Sequence, residues 1–272
     1  PDPSASHDDD GEVVDWVWTF GDGSSASGSD VSHTYDAPGS YLVTLTVTDD
    51  DGAVATTQRS AVVGSIASEI SHVGSETRSG WSRRPHVELP TVQSGDRILL
   101  FMTVPSNATI GEPDGGGWEP ITAVSGSKGT TRVWQKLASA GDSGDDVSVT
   151  ASKGTKYNAS AIAYRGVGGV SAAEGEVNTV YTDVRVTPEV EVADPGSWGV
   201  SFWMHRDSDT SSFDAPDGVI ERVARSQSGG GRATVLIADS GGGVAGDYGG
   251  LAAIAESPST YGITISLVLQ PG

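Results

Sequence analysis

Residues alternate with a period of two in two stretches of the first sixty positions of this chain, the pattern of strands with one buried face. Trp16 and Trp18 alternate with Val17 and Thr19 and run into Phe20-Gly21-Asp22-Gly23, where Asp-Gly supplies positive φ between two strands. From Tyr41 to Thr48 the order YLVTLTVT places Tyr41, Val43, Leu45 and Val47 on one face and Leu42, Thr44, Thr46 and Thr48 on the other. A half-buried strand accommodates that order; a helix does not. Beyond residue 70 the strand-like runs are residues 97–104, 131–137, 147–151, 160–164, 184–192, 198–203, 219–223, 233–238, 250–255 and 261–269. Gly, Asp and Ser turns separate them and no stretch reads as a helix, so the sequence predicts about ten strands in an all-β sandwich of jelly-roll type.

Residues 1–63 resemble the PKD domain, an immunoglobulin-like module. The residues carrying the likeness are Trp18 to Gly23 for its W-x-F-G-D-G turn, His33 to Tyr35 for H-T-Y, Pro38 to Tyr41 for P-G-x-Y, and Val43 to Gly52 for the strand ending in D-x-D-G. Members of that family carry a further strand before the segment that here is Ser4 to Ser6 and Asp8 to Gly11. The resemblance therefore implies that residue 1 falls inside a domain and that the chain is part of a longer polypeptide, which leaves the missing signal peptide without meaning.

The PKD pattern ends at Val63, and Gly64 to Ser68 is rich in small residues, so a linker is expected at residues 64–69 and a second domain at 70–272. This second region is similar to a jelly-roll-like domain found in secreted or surface proteins of actinobacteria and in phage structural proteins. The likeness rests on Gly95 to Phe101, Gly117-Trp118, Arg132 to Lys136 with Ala140 to Asp142, Ala163 to Val167, Trp198 to Trp203, Ala215 to Val219 and Gly230 to Arg232. It implies a tail-fibre-like, carbohydrate-binding-like or adhesin-like module; fold similarity alone carries no activity.

Composition narrows the partners. The 272 residues carry a formal charge of −20, and residues 1–64 hold 12 acidic residues against 1 basic. Such a field repels nucleic-acid phosphates and anionic lipid, while divalent cations suit it. There is no cysteine, which removes disulfides, zinc-thiolate sites and thiol catalysis. No run approaches 18 apolar residues, so membrane insertion is not expected.

Candidate chemistry is sparse. Asp8-Asp9-Asp10-Gly11 and Asp49-Asp50-Asp51-Gly52 each set carboxylates two residues apart at a turn, which suits a hard cation. Some PKD domains bind calcium near these positions, so calcium on Asp8, Asp10, Asp49 and Asp51 stands beside the plainer role of these residues as hairpin formers. Gly141-Asp142-Ser143-Gly144 has the composition of a turn between two strands and lacks the context of a serine protease. His205-Arg206-Asp207-Ser208-Asp209 gathers a histidine with carboxylates, as a metal or acid/base site does, and also reads as a solvated loop. Gly229-Gly230-Gly231-Arg232 lacks the spacing of a phosphate loop. Trp81 and Trp118 lie in polar, Gly- or Ser-rich segments where a loop can present an aromatic face to a sugar, whereas Trp134, Trp198 and Trp203 sit within strands.

These observations predict a non-catalytic adhesion or binding segment outside the cell, on a cell surface or on a virion. Its partners would be a cell-surface glycan or a surface or virion protein, with a homo-oligomer possible and the PKD module as spacer. The alternatives are a structural phage minor tail or surface-layer protein, and an accessory fragment of a polysaccharide-degrading enzyme.

Overall fold

The aromatic residues of the first sixty positions converge on one small core. A computed structural model describes residues 12–35, 39–63, 69–194, 196–229 and 232–272 and divides the chain into two compact units, Pro1–Ile66 and Ala67–Gly272. The joint expected at residues 64–69 lies, apart from Glu69, outside the described residues.

In the N-terminal unit β1 (Val13–Thr19), β2 (Ser25–Ser27), β3 (Gly39–Asp49) and β4 (Val54–Val63) pair in the order β2-β1-β3-β4, all antiparallel. Trp18, Phe20 and Leu45 are buried, with Trp16, Val43 and Val47 packed around them, while Leu42 on the opposite face is exposed. The turn motif has a steric basis: Gly21 takes φ +82°, and a Cβ there would lie 2.7 Å from the Leu42 nitrogen. Phe20 stacks on His33, His33 meets Tyr35 edge-on, and Tyr35 stacks on Tyr41. Asp22 closes the arrangement, accepting from the Ser24 N–H and hydroxyl and lying 2.7 Å from His33 Nε2. Ser24 first, and His33 after it, hold its carboxyl at a pKa of about 2.

The C-terminal unit is all β as well, but it is built twice. Its first half runs β5 (Ser71–Ser82), β6 (His86–Glu88), β7 (Arg97–Val104), β8 (Glu119–Gly126), β9 (Gly129–Leu137), β10 (Asp146–Ser148) and β11 (Thr155–Arg165). Its second half runs β12 (Val167–Asn178), β13 (Thr182–Val186), β14 (Val190–Val192), β15 (Trp198–Asp207), β16 (Phe213–Asp214), β17 (Ile220–Ser226), β18 (Arg232–Asp239), β19 (Gly246–Tyr248), β20 (Ala252–Ser259) and β21 (Gly262–Pro271). The large sheets are β5-β11-β7-β9-β8 and β12-β21-β15-β18-β17, the same order in both halves when β13, β16 and β20 are left out of the count. Pairing is nested in each: first strand with last, then β6 with β10 and β14 with β19 further in. A long hairpin rolled on itself gives this jelly-roll-like order. The second half adds a third sheet, β13-β20-β16.

The two large sheets pack face to face. Leu99, Phe101, Val133 and Ile162 from one meet Val200, Phe202, Val235 and Ile265 from the other, and the Phe101 and Phe202 rings stack at 5.6 Å. Their outer faces are covered too: Leu100, Met102 and Trp134 lie beneath Val87 and Val147, while Trp203 and Leu236 lie beneath Phe213 and Ala253. Strands buried on both faces lose their alternation, and RILLFMTV, WGVSFWMHRD and GITISLVLQP therefore read as continuous apolar runs. Among the described residues no helix is long and apolar enough to cross a membrane.

Seventeen strands stand in this unit among the described residues, where the sequence pattern gave about ten. The strands that escaped notice include β5, SHVGSETRSGWS, and β12, VGGVSAAEGEVN. Both are sheet edges, and both carry small and polar side chains with only partial burial.

Truncating Phe202 to alanine removes a ring from the middle of the inter-sheet core. It is expected to destabilise this unit by about 3–5 kcal/mol. Urea denaturation followed by near-ultraviolet circular dichroism measures this; a loss below about 1 kcal/mol would show that the two sheets do not share one core.

Candidate functional site

Trp81 is 71% exposed at the end of an edge strand, an unusual place for the largest apolar side chain. The β5–β11 ladder sets it directly opposite Lys156, with Ser79 opposite Asn158. Gly154, just before β11, makes room for the indole: a Cβ there would stand 2.3 Å from the ring. The tip of the β17–β18 hairpin comes across from the second half to complete a cleft of about 200 Å³ lined by Ser79, Gly80, Trp81, Lys156, Gln227 and Ser228. Lys156 Nζ donates to the Ser228 carbonyl at 2.7 Å, and Arg225 Nε donates to the Ser79 hydroxyl at 3.2 Å, tying hairpin to strand. Gln227 is 5% exposed; its Oε1 accepts the Ala233 N–H at 3.1 Å, while its Nε2 has no hydrogen-bond partner.

The corresponding place in the other half is closed. The β5–β11 ladder ends at Ser82 opposite Thr155, and the β12–β21 ladder ends at Asn178 opposite Gly262. Counting one pair back from each end makes Val177 the counterpart of Trp81, Ile263 that of Lys156 and Tyr261 that of Gly154. Tyr261 is 2% exposed and reaches across to the β8–β9 turn, donating from its hydroxyl to the Gly129 carbonyl at 2.8 Å. A Cβ on Gly126 of that turn would lie 2.4 Å from the Tyr261 oxygen and 3.2 Å from Val177. Glycine in place of that tyrosine is what leaves a cleft beside Trp81.

Trp118 is differently placed. It follows Gly115, Gly116 and Gly117, all at positive φ, and its indole N–H donates to the Asp114 carbonyl at 3.1 Å. The ring is half-buried against the outer core of the first half, 5.7 Å from Lys136 Nζ, and does not line the Trp81 cleft. Two further clefts of about 290 Å³ lie at Pro120, Ile121 and residues 170–173, and at Ile70, Trp198 and residues 241–243. The one tryptophan among their lining residues, Trp198, is 9% exposed.

The carboxylate clusters serve turns where they are described. Asp49 accepts the Ala53 N–H at 2.7 Å, Asp50 accepts the Glu12 N–H at 3.0 Å, and Gly52 adopts φ +86°. Asp51 is exposed, and Asp8 and Asp10 lie outside the described residues. Among the described residues no three His, Asp or Glu side chains are grouped so as to hold a metal ion.

In the Gly-Asp-Ser-Gly segment Asp142 caps a 3-10 turn, accepting from the Ser139 N–H and hydroxyl and from Lys136. Burial raises its pKa, but the Lys136 and Ser139 hydrogen bonds win and hold it below the usual carboxylate range. Ser143 accepts the Val92 N–H. His205 is fully buried, its Nδ1 accepting from Arg185 Nε at 3.1 Å, while Asp207 accepts the Asp209 and Thr210 N–H groups. Arg185, also fully buried, donates onward to Asn178 and to the Val180 and Ser259 carbonyls. His205 and Arg185 thus brace the interior of the second half, while Asp207 is half-buried and Asp209 exposed.

Residues 2–63 match the family model for the PKD domain, and the N-terminal unit is a PKD domain. The chain is similar to a microbial collagenase of Vibrio alginolyticus, 38% identical over 61 residues, or 22% of this chain and 8% of the collagenase. It is also similar to collagenase ColA of Clostridium perfringens, 42% identical over 55 residues (20% and 5%), and to collagenase ColQ1 of Bacillus cereus, 35% identical over 99 residues (36% and 9%). The matched stretch thus spans less than a tenth of each of these relatives. Among solved structures, a carbohydrate-binding module of the β-sandwich superfamily aligns with 59% of this chain and 82% of its own, at 16% identity and a TM-score of 0.23, too low to support any inference.

Burial first, and then the Arg185 charge, hold the His205 pKa below its ordinary 6.5. The unfolded chain therefore takes up the proton more readily, so the stabilisation is complete above pH 6.5 and declines as the pH falls below it. His205→Gln is expected to flatten the dependence of the denaturation midpoint on pH between 7 and 5, by up to about 1.4 kcal/mol per pH unit. Equal slopes for the two proteins would place the titrating group elsewhere, with His72, held low by burial and Arg222, the next to replace.

Proposed function

We propose that this chain is a non-catalytic binding segment of an extracellular protein, in which the PKD domain acts as spacer and the larger β-sandwich captures a glycan in the Trp81 cleft. The observation that carries the proposal is Trp81 itself, an indole held on the backbone of Gly154 with its surface open and polar groups of Ser79, Lys156, Gln227 and Ser228 around it. Sugars have apolar faces made of C–H groups and edges made of hydroxyls. An aromatic platform beside fixed donors and acceptors matches both, for the same reason that tryptophan is favoured at wet interfaces.

An extracellular setting is supported by the likeness of the PKD domain to those of bacterial collagenases. The lining of the cleft, an open indole among hydroxyl, amide and ammonium groups, suits capture of a ligand.

Trp81→Ala is expected to abolish glycan binding while leaving the melting temperature within about 2 °C, because an exposed ring contributes little to the core. A glycan array probed with the wild-type chain and the variant, beside thermal melts of both, reads this out. Binding by the wild type that survives in the variant would move the site away from Trp81, and silence of the wild type across the array would remove the proposed role.

A further inference from the structure

The three segments that build the cleft have a charge opposite to that of the chain. Residues 77–84 hold three arginines, residues 151–160 two lysines and residues 224–235 two arginines; none of the three holds an aspartate or glutamate. Seven of the 16 cations of a chain with 36 acidic residues thus lie in the segments at this end of the β5–β11 ladder and the β17–β18 hairpin. An ion pair joins one of them, Arg84, to Asp114 at 3.2 Å. At the cleft, Lys156 donates to the Ser228 carbonyl among its partners and Arg225 to the Ser79 hydroxyl, while nearby Arg83 donates to the Ser152 carbonyl. Gln227, in the wall, keeps an amide donor without an acceptor.

We propose that the ligand of the cleft is an anionic saccharide, with a sugar ring on Trp81 and its carboxylate or sulfate group against Lys156 and Arg225. This rests on the proposal that the cleft binds glycan and adds the charge of the sugar. Cations that outnumber the carboxylates near them attract an anion strongly only when some other feature keeps it close, and the indole supplies that. The acidic remainder of the chain does not cancel the attraction, because at physiological ionic strength its field decays over about 8 Å. That remainder does oppose a longer and denser polyanion such as duplex DNA, which carries a charge about every 1.7 Å. An oligosaccharide with one anionic group per residue or per disaccharide fits within the patch.

The test is calorimetric titration of the full chain with a galacturonic acid trisaccharide and a heparin-derived hexasaccharide, which separate carboxylate from sulfate, and with maltotriose and maltohexaose as neutral controls. At least one anionic probe is expected to bind tenfold or more tighter than its neutral control. That affinity is expected to fall at least fivefold between 50 and 500 mM NaCl, tenfold in Lys156→Gln, and below detection in Trp81→Ala, while Lys156→Arg retains it. Circular dichroism of each variant confirms that it is folded. Neutral sugars binding as tightly as anionic ones, with dependence on Trp81, would overturn the charge assignment and leave the glycan site standing. Absence of binding by any sugar of either kind would remove both, and a single-stranded oligonucleotide bound more tightly than the anionic sugars, again with dependence on Trp81, would assign the patch to nucleic acid instead.

Discussion

Burying both faces of a sheet is the constraint on which the C-terminal unit depends. A five-stranded sheet with two apolar faces has to be covered twice, and this chain meets that requirement with one repeated plan. The inner faces of the two large sheets cover each other through Phe101, Phe202 and their neighbours, and the short strands of each half cover its own outer face. Polar ties then fix the mutual register of the halves. Asn158 donates to the Ala233 carbonyl, Tyr164 donates to the buried Asp239, and Arg222 neutralises that carboxylate in turn. Each tie satisfies a group that would be costly to bury alone, and together they make sliding of one sheet over the other unfavourable.

What was legible in the sequence follows from that burial. The central strands announce themselves as apolar runs, and the PKD residues announce themselves because each has a steric or stacking duty that few other residues can perform, as Gly21, His33 and Tyr35 show. The edge strands were silent: β5 and β12 bury little and can be built from Gly, Ser, Thr and Glu. The doubling was silent for a related reason. Strand order is set by which faces need covering, and dissimilar apolar residues meet that need equally well, so RILLFMTV and WGVSFWMHRD occupy matching places with little in common.

The candidate site was half legible. Trp81 stood out as a tryptophan among polar residues, and so did Trp118, and sequence alone gave no way to tell them apart. The distinction lies in what the ring finds to rest on: Trp118 has an apolar wall and a carbonyl for its N–H, whereas Trp81 has only the backbone of Gly154. Lys156, Gln227 and Ser228 could not have been joined to Trp81 by spacing, since they lie at least 75 positions away and one element comes from the other half. A net charge of −20 pointed away from anionic partners, yet acid-free stretches around residues 80, 155 and 228 were present in the same sequence. Net charge is an average; recognition depends on the few groups within a Debye length of the ligand.

Doubling also lets one half be compared with the other at the candidate site. Two halves that share strand order and pack face to face would, with equivalent side chains, offer the same cleft twice. Instead one position is sealed by Tyr261, with its hydroxyl hydrogen-bonded across the gap and Val177 beside it, and the other is opened by Gly154 under an exposed indole. Stability alone favours the sealed version, because a tyrosine ring buried there adds packing and a satisfied hydrogen bond, whereas an exposed tryptophan and an unpaired Gln227 amide add neither. The open position therefore has a cost that the sealed one shows to be avoidable on this same scaffold, and under the proposed function a bound ligand that covers the indole would offset it.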